Sequence, residues 1–198
     1  MLRAGLTGSM ATGKSTVLRE MAALGLPTYS ADDAVHDLYA GEALPLIAAA
    51  FPGAVEDGQV DRKRLGEILA AQPERLEKLE SLIHPLVREK AMAFLDAAAV
   101  KGAEVAVIEI PLLFETGADY GLDKVIVTAC DPAIQRDRAM SRPGMTGEKL
   151  DFLLSRQLDQ ADKKARADYV IDTSGTMDET IARTRAVVKT LRSASGEK

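Results

Sequence analysis

The chain has 198 residues, a formal net charge of −5, 46% hydrophobic and 28% charged residues, which suits one substantial core with an inserted block but not two full domains. The acidic balance excludes a protein that coats nucleic acid, because no general basic field attracts a phosphate polymer. The single cysteine, Cys130, excludes an internal disulfide and fits a reducing compartment.

Leu2–Thr7 reads as a first strand, and it starts so early that no signal peptide is expected. Gly8–Thr16 follows the pattern G-x-x-x-x-G-K-[ST]. After it, Val17, Leu18, Met21 and Leu24 recur at helical spacing until Gly25 and Pro27 supply a stop. Strand, loop and helix in this order surround an anion with backbone N–H groups and the positive helix end. Gly8, Ala11, Thr12, Gly13, Lys14, Ser15 and Thr16 are therefore candidate nucleotide-phosphate ligands. Lys14 suits the β- and γ-phosphates of ATP and the Ser15 hydroxyl suits Mg²⁺.

Pro27–Ser30 reads as a second strand, delivering Asp32 and Asp33 to the start of a helix that runs through Val35, Leu38 and Tyr39. Carboxylates there serve capping and the helix dipole. Asp32 has a further claim, since the end of a second strand is expected beside the phosphate loop. Adjacent helical residues diverge by about 100°, so one of the two carboxylates is expected to face the cleft and the other not.

Strand signals nearly vanish over residues 42–101. Three apolar stripes mark helices there: Leu65, Ile68 and Leu69; Leu76, Leu79, Leu82 and Ile83; and Leu86, Val87, Ala91, Phe94, Leu95 and Ala98. Pro85 suits the first turn of the last helix, with His84 before it as either a cap or a substrate contact. The block reads as a helical insertion. Its longest uncharged apolar run, Leu44–Val55, contains two prolines and is too short to cross a bilayer. A cytoplasmic protein without membrane contact is expected.

Alternation then resumes. Val105–Ile110 is a third strand leading into Pro111–Glu115, and Lys124–Ala129 is a fourth. Asp131-Pro132 opens a helix carrying Arg136, Arg138 and Arg142, which Pro143-Gly144 breaks. Thr146 caps the next helix, striped by Leu150, Leu153, Leu154 and Leu158, and Tyr169–Ile171 is the fifth strand. Thr176 and Glu179 form a capping box for a last helix marked by Met177, Ile181, Val188 and Leu191. Ser193–Lys198 reads as a polar tail. Five strands alternating with helices predict an α/β fold, a five-stranded parallel sheet covered on both faces, with ligands beyond the carboxyl ends of the strands.

A GTPase switch needs a D-x-x-G beside the phosphate loop and a guanine-reading motif, but the D-x-x-G here, Asp172–Gly175, follows the last strand. No L-S-G-G-Q of a transport ATPase is present. A small-molecule kinase needs a base, cations near the transferred phosphoryl and a mobile cover. Asp32, the arginines and the helical block can supply these. A kinase of another small alcohol and an ATP-binding regulator without turnover remain open on this reading.

The chain resembles the dephospho-coenzyme A kinases in Gly5–Gly8 leading into the phosphate loop, Ala31-Asp32, His84-Pro85-Leu86, Pro111-Leu112-Leu113-Phe114-Glu115, Gln135, Arg138, Arg142 and Val170-Ile171-Asp172. The likeness covers roughly residues 3–190. It departs at Ser9 and Ala11, where glycine is usual, at Ser30, and at Glu109, where aspartate is frequent. The resemblance implies a P-loop kinase-like three-layer fold: a nucleotide-binding core of residues 1–41 and 102–192 with a lid at about 139–165, a CoA-substrate-binding insertion of 42–101, and a tail of 193–198. It implies ATP-dependent phosphorylation of the ribose 3′-hydroxyl of dephospho-CoA with Mg²⁺, by a monomer or small homo-oligomer. It implies Asp32, Lys14 and Arg142 as catalytic residues, Arg138 and Arg142 on ATP, and Asp32, His84, Leu113 and Glu115 on the substrate. Ser15 and Asp32 would hold the metal.

Overall fold

The computed structural model describes residues 1–196. In chain order the elements are β1 (Leu2–Thr7), α1 (Lys14–Ala23), β2 (Thr28–Ser30), α2 (Ala31–Ala40), α3 (Leu44–Ala50), β3 (Val55–Glu56), β4 (Gln59–Val60), α4 (Arg62–Ala71), α5 (Leu76–Val100), β5 (Val105–Glu109), α6 (Leu113–Thr116), β6 (Lys124–Ala129), α7 (Pro132–Met140), α8 (Gly147–Ser155), α9 (Gln160–Ala165), β7 (Tyr169–Asp172) and α10 (Met177–Ser195). They form two compact units, one joining residues 1–29 to the chain from Leu95 onward, the other Ser30–Phe94.

The first unit is built on a five-stranded sheet in the order β2-β5-β1-β6-β7. β1 runs parallel to both β5 and β6, with Leu2 opposite Val105 and Thr7 opposite Val127, and β7 is parallel to β6. Every residue of β5 is buried, as expected of a strand covered on both faces. On one face Leu2, Ala4, Leu6, Val105, Val107, Ile126 and Ile171 pack under Val17 and Met21 of α1 and Val188 and Leu191 of α10. α9 packs against β6. Local capping agrees with the sequence. Asp131 accepts from the Ala133 N–H, Thr146 from the Lys149 N–H, and Thr176 and Glu179 complete a reciprocal capping box.

The second unit is mainly helical, but it contains the hairpin of β3 and β4, which the predicted all-helical block did not include. Its turn is Asp57-Gly58, both with positive φ (49° and 73°), the combination a two-residue hairpin needs. A second correction concerns Pro85. It lies inside the 25-residue α5, not at a helix start, so His84 is an exposed mid-helix residue and not a cap. A proline there costs about 3 kcal/mol, but Leu79, Ile83, Val87, Ala91, Leu95 and Ala98 form one buried stripe that continues past it. Their burial at roughly 1.5–3 kcal/mol for each large side chain outweighs the lost backbone bond. α9 was also unforeseen, with Leu158 in the connection before it. α10 continues to Ser195, so the expected polar tail begins as helix, and residues 197–198 lie outside the described residues.

Candidate phosphoryl-transfer site

The phosphate loop leaves β1 at Thr7 and enters α1 at Lys14, with Gly13 as the cap residue in a left-handed conformation (φ 87°). Two glycines here are demanded by space as well as by φ. A Cβ on Gly8 would lie 2.4 Å from the Thr128 hydroxyl and 2.6 Å from its carbonyl oxygen, and one on Gly13 would meet Thr173 at 3.2 Å. Ala11 adopts φ 61° although it is not glycine. Its methyl is buried with Ala139 of α7 and Leu150 of α8. The Lys14 Nζ reaches back over the loop and donates to the carbonyls of Gly8 (2.9 Å) and Ser9 (3.2 Å). Ser15, the second residue of α1, is exposed at the helix N-terminus, where unsatisfied N–H groups and the dipole favour an anion.

Three buried threonines brace this loop. The Thr12 hydroxyl is 2.8 Å from the Ser9 carbonyl oxygen and 2.8 Å from the Thr128 hydroxyl of β6, and the Thr173 hydroxyl donates to the Thr12 carbonyl at 2.9 Å. Arg138 of α7 donates in turn to the Thr173 hydroxyl (3.1 Å) and carbonyl (2.8 Å). Thus Arg138 is half-buried and tied to the loop after β7, whereas Arg142 is exposed beyond the end of α7. Arg136 pairs with Asp151 of α8 at 3.0 Å. Burial raises the pKa of the neighbouring Cys130 thiol against the opposing pull of Arg138 and of a bond to Thr173. That keeps the thiol protonated, a small buried group as its strand-end position predicts.

Glutamines hold the same loop from the other side. The Met10 N–H donates to Gln157 Oε1 (2.9 Å), and Gln135 Nε2 donates to the Met10 carbonyl (2.7 Å). Gln160 Nε2 donates to Gln135 Oε1 (2.9 Å), while Gln160 Oε1 accepts from the Cys130 N–H (2.9 Å). A cleft of about 420 Å³ borders this group, lined by Ser9, Gln135, Gln157, Gln160 and Lys164 among others.

Of the residues expected on the substrate, Leu113 is buried and borders a smaller cleft with Phe114 and Tyr120. Glu115 is nearly buried, and its Oε1 accepts from the Leu158 N–H at 2.9 Å and lies 2.8 Å from Lys163 Nζ. The Lys163 side chain is 0% exposed. The pair lies off the angle a hydrogen bond needs, so the contact is ionic, and neither Nζ nor Glu115 Oε2 has a hydrogen-bond partner among the described residues.

In the second unit, the Ser30 hydroxyl accepts from the Asp33 N–H at 3.2 Å and starts α2. Asp32 and Asp33 are both exposed, and both border one open cleft of about 640 Å³ with His36, Asp37 and Arg62. No phosphate-loop residue lines this cleft, so the presence of both carboxylates along it does not decide which of the two serves the phosphates. Arg62 is 3.3 Å from His36 Nδ1 and lies over the Tyr39 ring at 5.6 Å.

Sequence reasoning singled out the loop, Arg138 and Arg142 from local spacing, and the structure ties Arg138 to the loop's braces through Thr173. It missed Thr128, Thr173, Gln157, Gln160 and Lys163. Apart from Lys163 these are uncharged amides and hydroxyls, and their partners lie up to 161 residues away.

A P-loop on β1 and α1, at the centre of a parallel sheet in the order β2-β5-β1-β6-β7, followed by an arginine-bearing helix, defines a P-loop kinase. The Dephospho-CoA kinase family model matches residues 2–179. The chain is 52% identical over 179 residues to the dephospho-CoA kinase of Brucella abortus (strain 2308), covering 90% of each, and 49% identical over 192 residues to that of Rhizobium etli, covering 97% of this chain and 95% of the other. Among solved structures it is similar to TT1252 from Thermus thermophilus (TM-score 0.80, 30% identity, 96% of each chain covered) and to the dephospho-CoA kinase from Campylobacter jejuni (TM-score 0.74, 28% identity, 97% and 98% covered). The chain belongs to the dephospho-CoA kinase family. A shikimate kinase from Aquifex aeolicus, 15% identical with a TM-score of 0.53, shares the fold.

Proposed function

We propose how this chain performs its family's reaction, the ATP-dependent phosphorylation of dephospho-CoA that completes coenzyme A synthesis. The observation that carries the reading is the braced phosphate loop, with Lys14 across its mouth and Ser15 exposed at the head of α1.

ATP phosphates lie against Gly8–Thr16, where Lys14 neutralises charge on the β- and γ-phosphates. Arg138, held on Thr173, frames the nucleotide, and Arg142 brings an exposed guanidinium to the transferred phosphoryl. The 3′-hydroxyl of the ribose attacks the γ-phosphorus, its proton passes to the Asp32 carboxylate, and the bond to the bridging oxygen breaks to leave ADP. His84 and Leu113 belong to the substrate side of this reading, and residues 42–101 receive the CoA moiety. Glu115, already bonded to Leu158 and paired with Lys163, serves the substrate by shaping the wall behind it.

Mg²⁺ takes hard oxygen donors and uses few protein ligands, completing its octahedron with phosphate oxygens and water. In this reading the Ser15 hydroxyl and the Asp32 carboxylate would supply such donors, and Glu109, a buried carboxylate opposite Leu6 at the end of β5, is a further oxygen-bearing group on the strand next to β1. When bound, the ion neutralises charge that develops on the β- and γ-oxygens.

No helix among the described residues is long and apolar enough to cross a membrane. The free, buried Cys130 agrees with a reducing cytoplasm, and we read the enzyme as a monomer or small homo-oligomer.

The test compares ADP release with ATP and Mg²⁺ for dephospho-CoA, adenosine, gluconate and shikimate, in wild-type, Asp32→Asn and Asp33→Asn proteins. Dephospho-CoA is expected to be the productive acceptor. Asp32→Asn is expected to lower kcat by about 10²–10⁴, and Asp33→Asn by less than about tenfold. The reverse order would move the base by one residue.

A further inference from the structure

The strained residue of the phosphate loop and the glutamine cluster are one device. Ala11 has φ 61°, the left-handed region that costs an L-residue bearing a Cβ and costs glycine almost nothing. Such a conformation persists only where the surroundings over-determine it. Here both peptide planes on either side of Met10 are fixed from outside the loop, one through its N–H on Gln157, the other through its carbonyl on Gln135. The plane beyond Ala11 is fixed too, since the Thr12 N–H donates to the Ser9 carbonyl (3.3 Å). With the planes before and after Ala11 held, its φ has no freedom left.

The amide orientations are set by a relay. The Cys130 N–H can only donate, so Gln160 must present Oε1 to it and Nε2 to Gln135. Gln135 then presents Oε1 to Gln160 and is left with Nε2 for the Met10 carbonyl. One backbone group at the end of β6 thus decides which face of Gln135 meets the loop. Gln157 lies in the connection from α8 to α9 and Gln160 opens α9, and between them the Leu158 N–H is held by Glu115. The clamp is therefore anchored at both ends of a short segment.

We propose that Gln135, Gln157 and Gln160 are positioning residues for catalysis, which hold the phosphate loop in its left-handed form at Ala11 and so set the geometry that receives the ATP phosphates. The inference rests on the phosphate loop being the ATP site. Lys14→Ala loses turnover if that is right, whatever the glutamines do, so failure of the two readings is distinguishable.

The experiment is a rescue. Gln157→Leu removes the acceptor for the Met10 N–H, and misplacement of a catalytic frame costs up to about 10² in rate. KM for ATP should rise about tenfold with a fall in kcat, while KM for dephospho-CoA changes less than about twofold. Adding Ala11→Gly should restore most of kcat/KM for ATP, because glycine enters the left-handed form without the Cβ cost that the clamp otherwise offsets. If Gln157→Leu fails to fold by thermal melt, Gln135→Glu takes its place. It keeps the size and the acceptor for Gln160 but sets an oxygen against the Met10 carbonyl, and the same rescue is expected. A merely structural role for the glutamines would lower the melting temperature without moving KM for ATP selectively, and Ala11→Gly would not restore activity. Either result overturns the proposal, as does wild-type kinetics in both glutamine variants.

Discussion

Replacing Lys163 by methionine keeps the side chain's length and apolar stem while deleting its charge. In the folded protein this ammonium is 0% exposed and faces Glu115 at 2.8 Å. Removing it leaves the Glu115 carboxylate nearly buried with one backbone N–H, from Leu158, for company. Breaking a buried pair from one side costs about 3–5 kcal/mol, because the remaining charge is uncompensated. That is a large part of the ~5–15 kcal/mol that holds a domain folded. For a chain of this size each kcal/mol moves Tm by ~2–4 °C, so Lys163→Met should melt roughly 6–20 °C below wild type. The second variant decides the mechanism. Glu115→Gln added to Lys163→Met keeps an oxygen for the Leu158 N–H and removes the orphan charge, so it should recover more than half of the loss. Melting followed by circular dichroism at neutral pH measures both. A Lys163→Met protein within about 2 °C of wild type, or a double variant as unstable as the sum of the singles, would refute this account of the pair.

Lys14→Ala should fold normally and turn over at less than about 1% of the wild-type rate, since on the proposed reading it deletes the cation that neutralises the β- and γ-phosphates; near-normal kcat in a folded Lys14→Ala protein would end the phosphate-loop reading. The stability of the sheet edge should fall in acid. At Asp172, bonds from the Ser174 hydroxyl (2.6 Å) and N–H (2.8 Å) hold the carboxyl below its ordinary range. At Asp168, burial alone would raise the pKa, but Lys124 at 2.9 Å and the Val125 N–H bring it below that range. A depressed folded pKa stabilises above the unfolded value, ~4, and the contribution is lost as pH falls through the folded value. Asp168→Asn with Asp172→Asn should therefore flatten the slope of stability against pH below about 4, measured by denaturant melts; an unchanged slope would assign the acid lability elsewhere.

The strands were legible because a parallel sheet covered on both faces writes its strands as short apolar runs, Leu2–Thr7 and Lys124–Ala129 among them. The phosphate loop was legible because its spacing is local. The hairpin at Val55–Val60 was missed although Asp57-Gly58 signals one, because two-residue strands carry no alternation. Pro85 was overweighted as a helix start, against a buried stripe that continues through it. The braces of the site have no local signature. A glutamine or threonine declares its role only through its partner, and Met10 meets Gln157 across 147 residues.

The parallel arrangement has a consequence for how the protein comes off the ribosome. β1 is made first, yet Leu2 must wait for Val105 to form its pairing, and Thr12 must wait for Thr173, 161 residues later, to receive its bond. At ~5–20 residues per second the first strand spends about 5–20 s without the neighbour on one side. During that interval it is an apolar strand with two bare edges, the form that pairs wrongly with other chains. The phosphate loop, encoded within the first sixteen residues, becomes the last part of the sheet end to be braced. A chain stalled before β7 carries every residue of Gly8–Thr16 and still lacks the threonine that holds Thr12.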